Sequence, residues 1–424
     1  MRVLAVVLGS TGDVTPFIAL GHRLARDGHD LAIACFPEFG ETVLSAGLGF
    51  VEVPGDSKAW MKRLLGDASG VADAVKGVRE LLGDPAIFDA LEGAVRRVDI
   101  VLYTQFGIAA RHLAEAAGLP CVRVQVYPTD PSRSYSMMDP RRNDGTWRAP
   151  VLHRMADLMM NWALLPRVRT WRSRLGLSRW GLFSDARAMG GEPIPTLYQF
   201  SPILVPPDPA WGDHIHVTGE WLEEPPSSEE LPQQVEDFLA SGPAPVLVGF
   251  GSVVSSSMRE VHEVVQRCLF AQGQRIIVIG SEVSGSHPHQ VLTLPWVPFR
   301  PLLPRCRAVV CHGSLGTTGA ALRAGRPCLV FAFGGDQQFH GQSVVRSGAG
   351  PAYVDVPRDG LGDDLVAGRI ADLISGRYDI RASELSARLL PENGVELAAE
   401  VVTALAASSQ WVGRKPRNTK ESHP

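Results

Sequence analysis

The chain has 424 residues, with 41 lysines and arginines against 45 aspartates and glutamates, a formal charge of −4 with neutral histidines, and 45% hydrophobic residues. This composition is that of a globular protein and excludes disordered and fibrous classes, and the near-neutral charge argues against a large binding surface for nucleic acid. No apolar run reaches the ~20 residues that span a bilayer, so we expect no integral membrane segment. The start, Met1-Arg2 and a short apolar run, is too lightly charged for a signal peptide, which predicts the cytoplasm as the compartment.

The cysteines show neither a CxxC pair nor a spacing with histidine that is typical of a zinc site. We therefore interpret all of them as reduced thiols, most of them buried, and we expect no metal site. They are Cys35, Cys121, Cys268, Cys306, Cys311 and Cys328.

The first half of the chain alternates apolar runs with helical patterns. Residues 3–8 form a continuous apolar run, the small turn 9–12 follows, and Phe17, Leu20 and Leu24 then recur at helical spacing. This order predicts a strand, a loop and a helix. Further strand patterns lie at 31–36, 50–53, 99–103 and 122–126, with a helix at 107–117. The alternation predicts a parallel sheet that is covered by helices on both faces.

A stretch rich in tryptophan, methionine and arginine, residues 139–183, follows the first set of elements. One interpretation is a pair of amphipathic helices that pack on the first domain. The other is the wall of an apolar acceptor pocket, because methionine and tryptophan supply adaptable apolar surface. Both interpretations can hold for different residues of the stretch.

A second set of elements begins after a connection rich in proline, serine and glutamate. Its strand patterns lie at 246–250, 275–279, 308–311, 327–331 and 352–356. The predicted organisation is a first Rossmann-like domain at 1–219, a linker at 220–245, a second Rossmann-like domain at 246–410 and a disordered tail at 411–424. Two α/β domains of this kind leave a cleft at the carboxyl ends of their strands, where open sheets bind ligands.

The loop after the strand 308–311 is the richest motif of the chain. The strand pattern ends at His312, a small-residue loop follows, and a helix runs to about Ala324. Unpaired N–H groups at a helix N-terminus carry roughly half a positive charge, so that a diphosphate can bind there. The hydroxyl of Thr317 or Thr318 and the ring N–H of His312 are further donors. Gly249–Ser252 forms a second small loop, although either loop alone is also compatible with a tight turn.

Together with residues 296–299 and 333–337, this loop resembles the signature of the family 1 nucleotide-sugar glycosyltransferases. The resemblance extends over roughly residues 1–410 and implies the GT-B fold, in which two Rossmann-like domains with parallel sheets face a central cleft. Ser314 departs from the usual glycine, and Phe299 stands where many plant members have a glutamine that contacts the base. The residues implied in donor binding are Trp296 and Val297 at the nucleotide, His312, Ser314, Gly316, Thr317 and Ser252 at the diphosphate, and Asp336 and Gln337 at the sugar. For Trp296, a core indole is the alternative.

The motif Gly-Ser-Thr-Gly-Asp-Val-Thr-Pro at 9–16 resembles the first loop of the sterol and bacterial natural-product glycosyltransferases. Residues 202–207 and 216–219 also resemble the run that leads into the linker of that subgroup. Many other family members have a catalytic histidine in this first loop, where this chain has Asp13. Inversion requires a base near the acceptor hydroxyl, and Asp13 is the candidate, with Ser10 holding the hydroxyl or orienting the carboxylate.

Two alternatives for Asp13 stay open. It is equally compatible with a cap near the start of a helix ahead of Pro16. An ordinary aspartate, with a pKa of ~3.9, is also a weak base toward an alcohol, so the site must raise the pKa or act late in a dissociative transition state. Asp336 is a second carboxylate near the sugar and is able to share the role.

The resemblance implies an inverting transferase that moves a hexose or deoxyhexose from a UDP- or dTDP-sugar to a hydroxyl of a lipophilic natural product, without cofactor or metal. The chain has no D-x-D motif. A sterol or lipid glucosyltransferase is the alternative; a sugar-nucleotide epimerase and a non-catalytic helper subunit are weaker ones. The expected partners are the nucleotide sugar and a lipophilic small-molecule acceptor, and any homo-oligomer is expected to be weak.

Overall fold

The computed structural model describes residues 1–61, 77, 79, 80, 82, 84–136, 141, 148–223, 229–251, 256–280 and 289–407. Two parallel sheets dominate these residues, as the sequence predicts. The first has seven strands in the order β3-β2-β1-β4-β5-β8-β9, and the second has six in the order β12-β11-β10-β13-β14-β15. The strands are β1 (Arg2–Val6), β2 (Asp30–Cys35), β3 (Gly49–Glu52), β4 (Ile100–Tyr103), β5 (Cys121–Gln125), β6 (Ala188–Met189), β7 (Glu192–Pro193), β8 (Thr196–Tyr198), β9 (Ile215–Val217), β10 (Val246–Gly249), β11 (Ile276–Ile279), β12 (Val291–Leu294), β13 (Ala308–Cys311), β14 (Cys328–Ala332) and β15 (Val354–Asp355).

Helices connect the strands and cover the faces of both sheets. Those of the first half are α1 (Thr11–Arg26), α2 (Gly40–Ser45), α3 (Ser57–Met61), α4 (Pro85–Val95), α5 (Ile108–Ala117) and α6 (Arg148–Arg174). Those of the second half are α7 (Gln233–Ala240), α8 (Ser256–Ala271), α9 (Phe299–Leu302), α10 (Leu315–Arg323), α11 (Asp336–Ser347), α12 (Val356–Asp359), α13 (Asp363–Ile374), α14 (Asp379–Leu389) and α15 (Gly394–Ala407). No helix within these described ranges is both long and apolar enough to cross a membrane.

The second sheet shows why continuous apolar runs become buried strands here. Val246 and Val248 of β10 belong to one hydrophobic core and Leu247 belongs to another, and all three side chains are fully buried. Successive side chains of a strand point to opposite faces, so a strand that is covered on both faces is apolar at every position. The six cysteines, which the sequence predicts to be reduced, are free and buried.

The last helix connects the two sheets. α15 comes from the part of the chain that the sequence assigns to the second domain, but it packs against α1, and Val395, Ala398 and Val402 belong to the first core. The linker also contacts this core, because the rings of Trp221 and Phe17 lie 5.3 Å apart. The two domains are therefore joined by packing as well as by the linker.

The prediction of a helix pair in residues 139–183 is wrong for the part that is described. A single helix, α6, runs through 27 residues with Pro166 inside it. Trp171 of α6 and Trp180, which follows the helix, are buried in the first core, as packing on the first domain requires. A proline usually ends a helix, but α6 continues through Pro166, so the stretch is not divided into a pair.

Candidate functional site

Asp13 lies at the start of α1, directly behind the carboxyl end of β1. Ser10 precedes the helix, and both its backbone N–H and its hydroxyl donate to Asp13 Oδ2, at 2.6 and 2.9 Å. Burial raises the pKa of Asp13, and the two bonds from Ser10 oppose that shift. Asp13 therefore caps the helix and also carries the raised pKa that a base needs, so the two interpretations of this residue are compatible. Of the two predicted roles of Ser10, the hydrogen bonds match the orientation of Asp13.

The position of Asp13 depends on a glycine. A Cβ atom at Gly9 would overlap the carboxylate of Asp13, whereas a Cβ atom at Gly12 would meet only Ser10 Oγ at 3.7 Å. Gly9→Ala is therefore expected to displace the carboxylate and lower turnover by ~10-fold or more, since a misplaced catalytic group loses much of its effect. Gly12→Ala is the matched control. Steady-state kinetics of the two variants test this, and equal turnover of Gly9→Ala and the wild type would contradict it.

A second carboxylate approaches Asp13 from the other domain. Asp336 is the first residue of α11, after a loop in which Gly334 and Gly335 have φ values of +150° and +64°. The pKa of Asp336 is raised to about 7, mainly by burial and secondly by the negative charge of Asp13. The Asp336 side chain is still 34% exposed, so a ligand can reach it. Asp13, which follows β1, and Asp336, which follows β14, therefore lie close enough for their charges to interact.

Two further side chains belong to this centre, and the sequence did not single them out. Tyr127, just beyond β5, has its pKa raised to about 12 by burial and by the charge of Asp336, and its hydroxyl donates to Gln105 Oε1 at 2.7 Å. His340 Nε2 lies 3.8 Å from Asp336 Oδ2, and burial lowers the pKa of His340 to about 4. The spacing of four residues between Asp336 and His340 on a helix is the one signal that could have identified the histidine.

The predicted diphosphate loop has the expected form. Ser314 precedes α10, and its hydroxyl lies 3.1 Å from Thr317 Oγ1. Thr318 is buried and donates its hydroxyl to the carbonyl of Ser314 at 2.8 Å, so Thr317 is the threonine that can serve a ligand. Gly316 is exposed, with open space where a Cβ atom would stand. The N–H groups of the first turn of α10 are therefore accessible to an anion.

His312 and Gly313 connect β13 to this helix. Gly313 has a φ of +93°, and a Cβ atom there would lie 2.6 Å from Val330 Cγ1 and 2.8 Å from the carbonyl oxygen of Gln337. Burial lowers the pKa of His312 to about 4, and a hydrogen bond with the Gly249 backbone opposes this shift, so the ring is neutral. The loop after β10 lies beside it, since a Cβ atom at Gly251 would be 3.2 Å from His312 Cε1. The two predicted loops are thus adjacent, although Ser252 itself lies outside the described residues.

The remaining predicted donor residues differ in accessibility. Trp296 is 68% exposed, which excludes the alternative of a core indole. Val297 is 2% exposed and packs in the second domain, so only its backbone can contact a nucleotide. The amide oxygen of Gln337 accepts a hydrogen bond from Phe333 N–H at 2.8 Å, which orients this side chain at the end of β14.

An apolar cavity of about 180 Å³ lies in the first domain, between α6 and the ends of β4 and β5. Met159 and Met160 line it, together with Trp180, which confirms that part of this stretch forms a pocket wall. Gln105 is also a lining residue and accepts the hydrogen bond from Tyr127, whose pKa the charge of Asp336 raises, so Tyr127 links the cavity wall to Asp336. No group of three or more potential metal ligands occurs among the residues that the structure describes.

Both halves of the chain match known families of sequence. Residues 3–135 match the Glycosyltransferase family 28 N-terminal domain, and residues 274–408 match the C-terminal domain described as Erythromycin biosynthesis protein CIII-like. A sterol 3-beta-glucosyltransferase of Candida albicans is 28% identical over 456 residues, which cover 100% of this chain and 29% of that protein. The chain thus spans about a third or less of the length of the fungal sterol relatives, and 67% of a sterol 3-beta-glucosyltransferase of Arabidopsis thaliana.

Another relative is matched along nearly its whole length. It is the O-mycaminosyltylonolide 6-deoxyallosyltransferase of Streptomyces fradiae, which is 28% identical, with 95% of this chain and 97% of that protein covered. Among solved structures, the glycotransferase of kitacinnamycin has a TM-score of 0.70 at 20% identity, with 96% of this chain and 99% of that one covered. Glycosyltransferase VinC in complex with DTDP has a TM-score of 0.66 at 20% identity over 96% and 99% of the two chains.

Proposed function

Since this chain belongs to the GT-B glycosyltransferases of the sterol and natural-product group, we propose that it moves a hexose or deoxyhexose, with inversion, from a UDP- or dTDP-sugar to a hydroxyl of a lipophilic natural product. The observation that carries this proposal is the approach of Asp13 to Asp336 across the cleft. A base from one domain then lies near a sugar-binding carboxylate from the other, so that an acceptor hydroxyl beside Asp13 can approach the anomeric carbon of a sugar that Asp336 holds.

The acceptor side of the reaction belongs to the first domain. Asp13 takes the proton of the acceptor hydroxyl as its oxygen attacks the anomeric carbon, and Ser10 keeps the carboxylate oriented. The raised pKa of Asp13 strengthens it as a base, and a dissociative transition state makes the hydroxyl more acidic as the bond forms. The bond to the leaving diphosphate breaks in the same step on the opposite face of the sugar.

The leaving group lies on the second domain. The N–H groups at the start of α10, the hydroxyl of Thr317 and the neutral ring of His312 stabilise the negative charge that the diphosphate gains. Asp336 and Gln337, at the start of α11, hydrogen-bond to the hydroxyls of the donor sugar. The exposed indole of Trp296 supplies a stacking surface for the base. Each of these roles operates without a bound metal ion.

The cavity beside α6 supports a lipophilic acceptor. Its methionine and tryptophan walls offer adaptable apolar surface in the domain that carries Asp13. The relatives act, by their names, on a sterol and on a tylonolide derivative. A natural-product acceptor is favoured because the Streptomyces fradiae protein corresponds to this chain over nearly its whole length, and a sterol or lipid acceptor stays the alternative.

The first test is a panel of nucleoside diphosphates and their sugars, with uridine, thymidine, guanosine and adenosine as bases, read by thermal shift and calorimetry. A ligand that binds only the folded protein raises its Tm. We expect selective stabilisation by a uridine or thymidine diphosphate, equal with and without Mg²⁺. If none of the ligands raises the Tm, the donor site is wrong and a helper subunit becomes the better interpretation. Release of a changed sugar nucleotide without acceptor would instead indicate an epimerase.

A further inference from the structure

The linker inserts a carboxylate into the side of the helix that carries the predicted diphosphate site. Glu220 is 3% exposed, and a Cβ atom at Gly319 of α10 would overlap both of its side-chain oxygens. One turn further along α10, Arg323 Nε lies 3.5 Å from Glu220 Oε2. Glu220 therefore packs along a full turn of α10, directly where the chain passes from one domain to the other.

This contact is incomplete in the structure. Neither oxygen of Glu220 has a hydrogen-bond partner, and Arg323 Nε has none either. The other nitrogens of Arg323 are engaged, with Nη1 donating to the carbonyl of Leu389 at 2.5 Å and Nη2 lying 3.3 Å from Glu392 Oε2. Hydrogen bonds of this kind have N···O distances of ~2.7–3.2 Å, so a shift of a few tenths of an ångström would pair the two buried groups.

A carboxylate that has an ion pair but no hydrogen bond is costly at this depth. Burial is the main cause that raises the pKa of Glu220 to about 7, the positive charge of Arg323 opposes it, and the negative charge of Glu392 adds to it. A buried ionised group without a hydrogen bond destabilises the state that contains it. A rearrangement that completes this hydrogen bond would therefore lower the free energy of the folded protein.

We propose that Glu220 is a positioning residue whose hydrogen bond to Arg323 closes when a nucleoside diphosphate binds at the N-terminus of α10. A short helix moves as a rigid element, so a small displacement at Ser314 also displaces Gly319 and Arg323 relative to the linker. Binding at the diphosphate loop then favours one angle between the domains, the one in which Asp13 reaches the donor sugar. This inference rests on the donor site in the proposed function.

The test compares Glu220→Gln with the wild type and with Glu223→Gln. Glu223 is on the same linker, is 43% exposed and lies 3.1 Å from His22, which makes it the matched control. The Tm is measured between pH 5.5 and 8.5 in the free protein and with UDP and dTDP, and calorimetry gives the Kd. Arg323→Lys is measured in parallel, so that the inference can still be tested if Glu220→Gln does not fold.

Without ligand, Glu220→Gln is expected to raise the Tm at pH 8 by a few degrees and to approach the wild type at pH 5.5. The sign follows from the raised pKa: the wild type loses stability as the pH rises from the ordinary carboxyl value of 4.5 through about 7, because the folded protein binds the proton more tightly. With nucleotide at pH 8, we expect the Tm increase to be at least halved and the Kd to weaken by about five- to tenfold in Glu220→Gln and Arg323→Lys. Glu223→Gln should respond as the wild type does.

Two results would overturn the inference and are distinguishable. If nucleotide raises the Tm of the wild type, Glu220→Gln and Arg323→Lys equally, the donor site stands and Glu220 has only a packing role. If nucleotide shifts none of the proteins, the proposed donor site itself is wrong and the inference falls with it.

Discussion

Asp13→Asn is expected to lower the turnover number by ~10²–10⁴ and to leave the affinity for the nucleoside diphosphate nearly unchanged. The asparagine keeps the size of the side chain and an oxygen for the bonds from Ser10, but it cannot accept the proton of the acceptor hydroxyl. Single-turnover kinetics with the preferred donor, and calorimetry with its nucleotide, measure the two quantities. Asp27→Asn, at the other end of α1, is the control, because its carboxylate pairs with Arg23 at 2.7 Å, far along the helix from Ser10.

The pH dependence gives an independent check of the same role. A base must be ionised, so turnover should fall as the pH falls through the raised pKa of Asp13. In Asp13→Asn the pKa of Asp336 should also drop from about 7, because one of the two causes that raise it is removed. The two carboxylates titrate as a pair, so the profile is compared between variants and not assigned to one residue. Wild-type turnover in Asp13→Asn would exclude it as the base, and Asp336 would be the next candidate.

His312→Ala is expected to lower turnover by ~10²–10³, the effect of removing one donor from a site where charge develops. In contrast to Asp13→Asn, this change should also weaken the binding of the nucleoside diphosphate. His312→Asn should restore part of the loss, since an amide supplies a neutral N–H donor. His289→Ala, an exposed histidine of the second domain, is the control.

The pH dependence of nucleotide binding is a second test of the role of His312. With a pKa of about 4, the ring is neutral in the free protein above pH 5, so the nucleotide affinity should show no midpoint near pH 6.5 that disappears in His312→Ala. Such a midpoint would mean that a charged imidazolium binds the diphosphate. Normal nucleotide binding together with normal turnover in His312→Ala would remove the residue from the site.

The sequence predicted best those strands and helices whose boundaries follow from the local pattern of apolar residues. β13 was predicted at 308–311, and the structure has Ala308–Cys311; the helix predicted at 107–117 is Ile108–Ala117. By contrast, the sequence did not predict β8 and β9, because each strand is only three residues long. These two strands form because they pair with each other in the sheet, and not because of an apolar pattern of their own. The prediction of a helix pair in 139–183 was wrong because α6 continues through Pro166, a residue type that usually ends a helix.

In the candidate site, too, short-range patterns were predictable from the sequence and long-range contacts were not. The loop 312–317, the motif at 9–13 and the Asp336-Gln337 pair were all visible as short-range patterns, because glycine, a helix cap and a helix N-terminus act within a few residues. Which of these groups meet depends on residues that are hundreds of positions apart. The approach of Asp13 to Asp336, the place of His340 beside that pair and the packing of α15 on α1 could not be inferred from local patterns.

Local chemistry in the chain was enough to predict two parallel α/β sheets and to single out the residues of the proposed donor site, because strand burial, helix caps and glycine turns depend on neighbours in sequence. The tertiary structure alone decided the electrostatics of the site. Burial and the charge of Asp13 raise the pKa of Asp336, burial lowers that of His312, and Glu220 is left without a hydrogen bond against α10. Each of these effects depends on desolvation or on charges that approach through space, and both exist only in the folded protein.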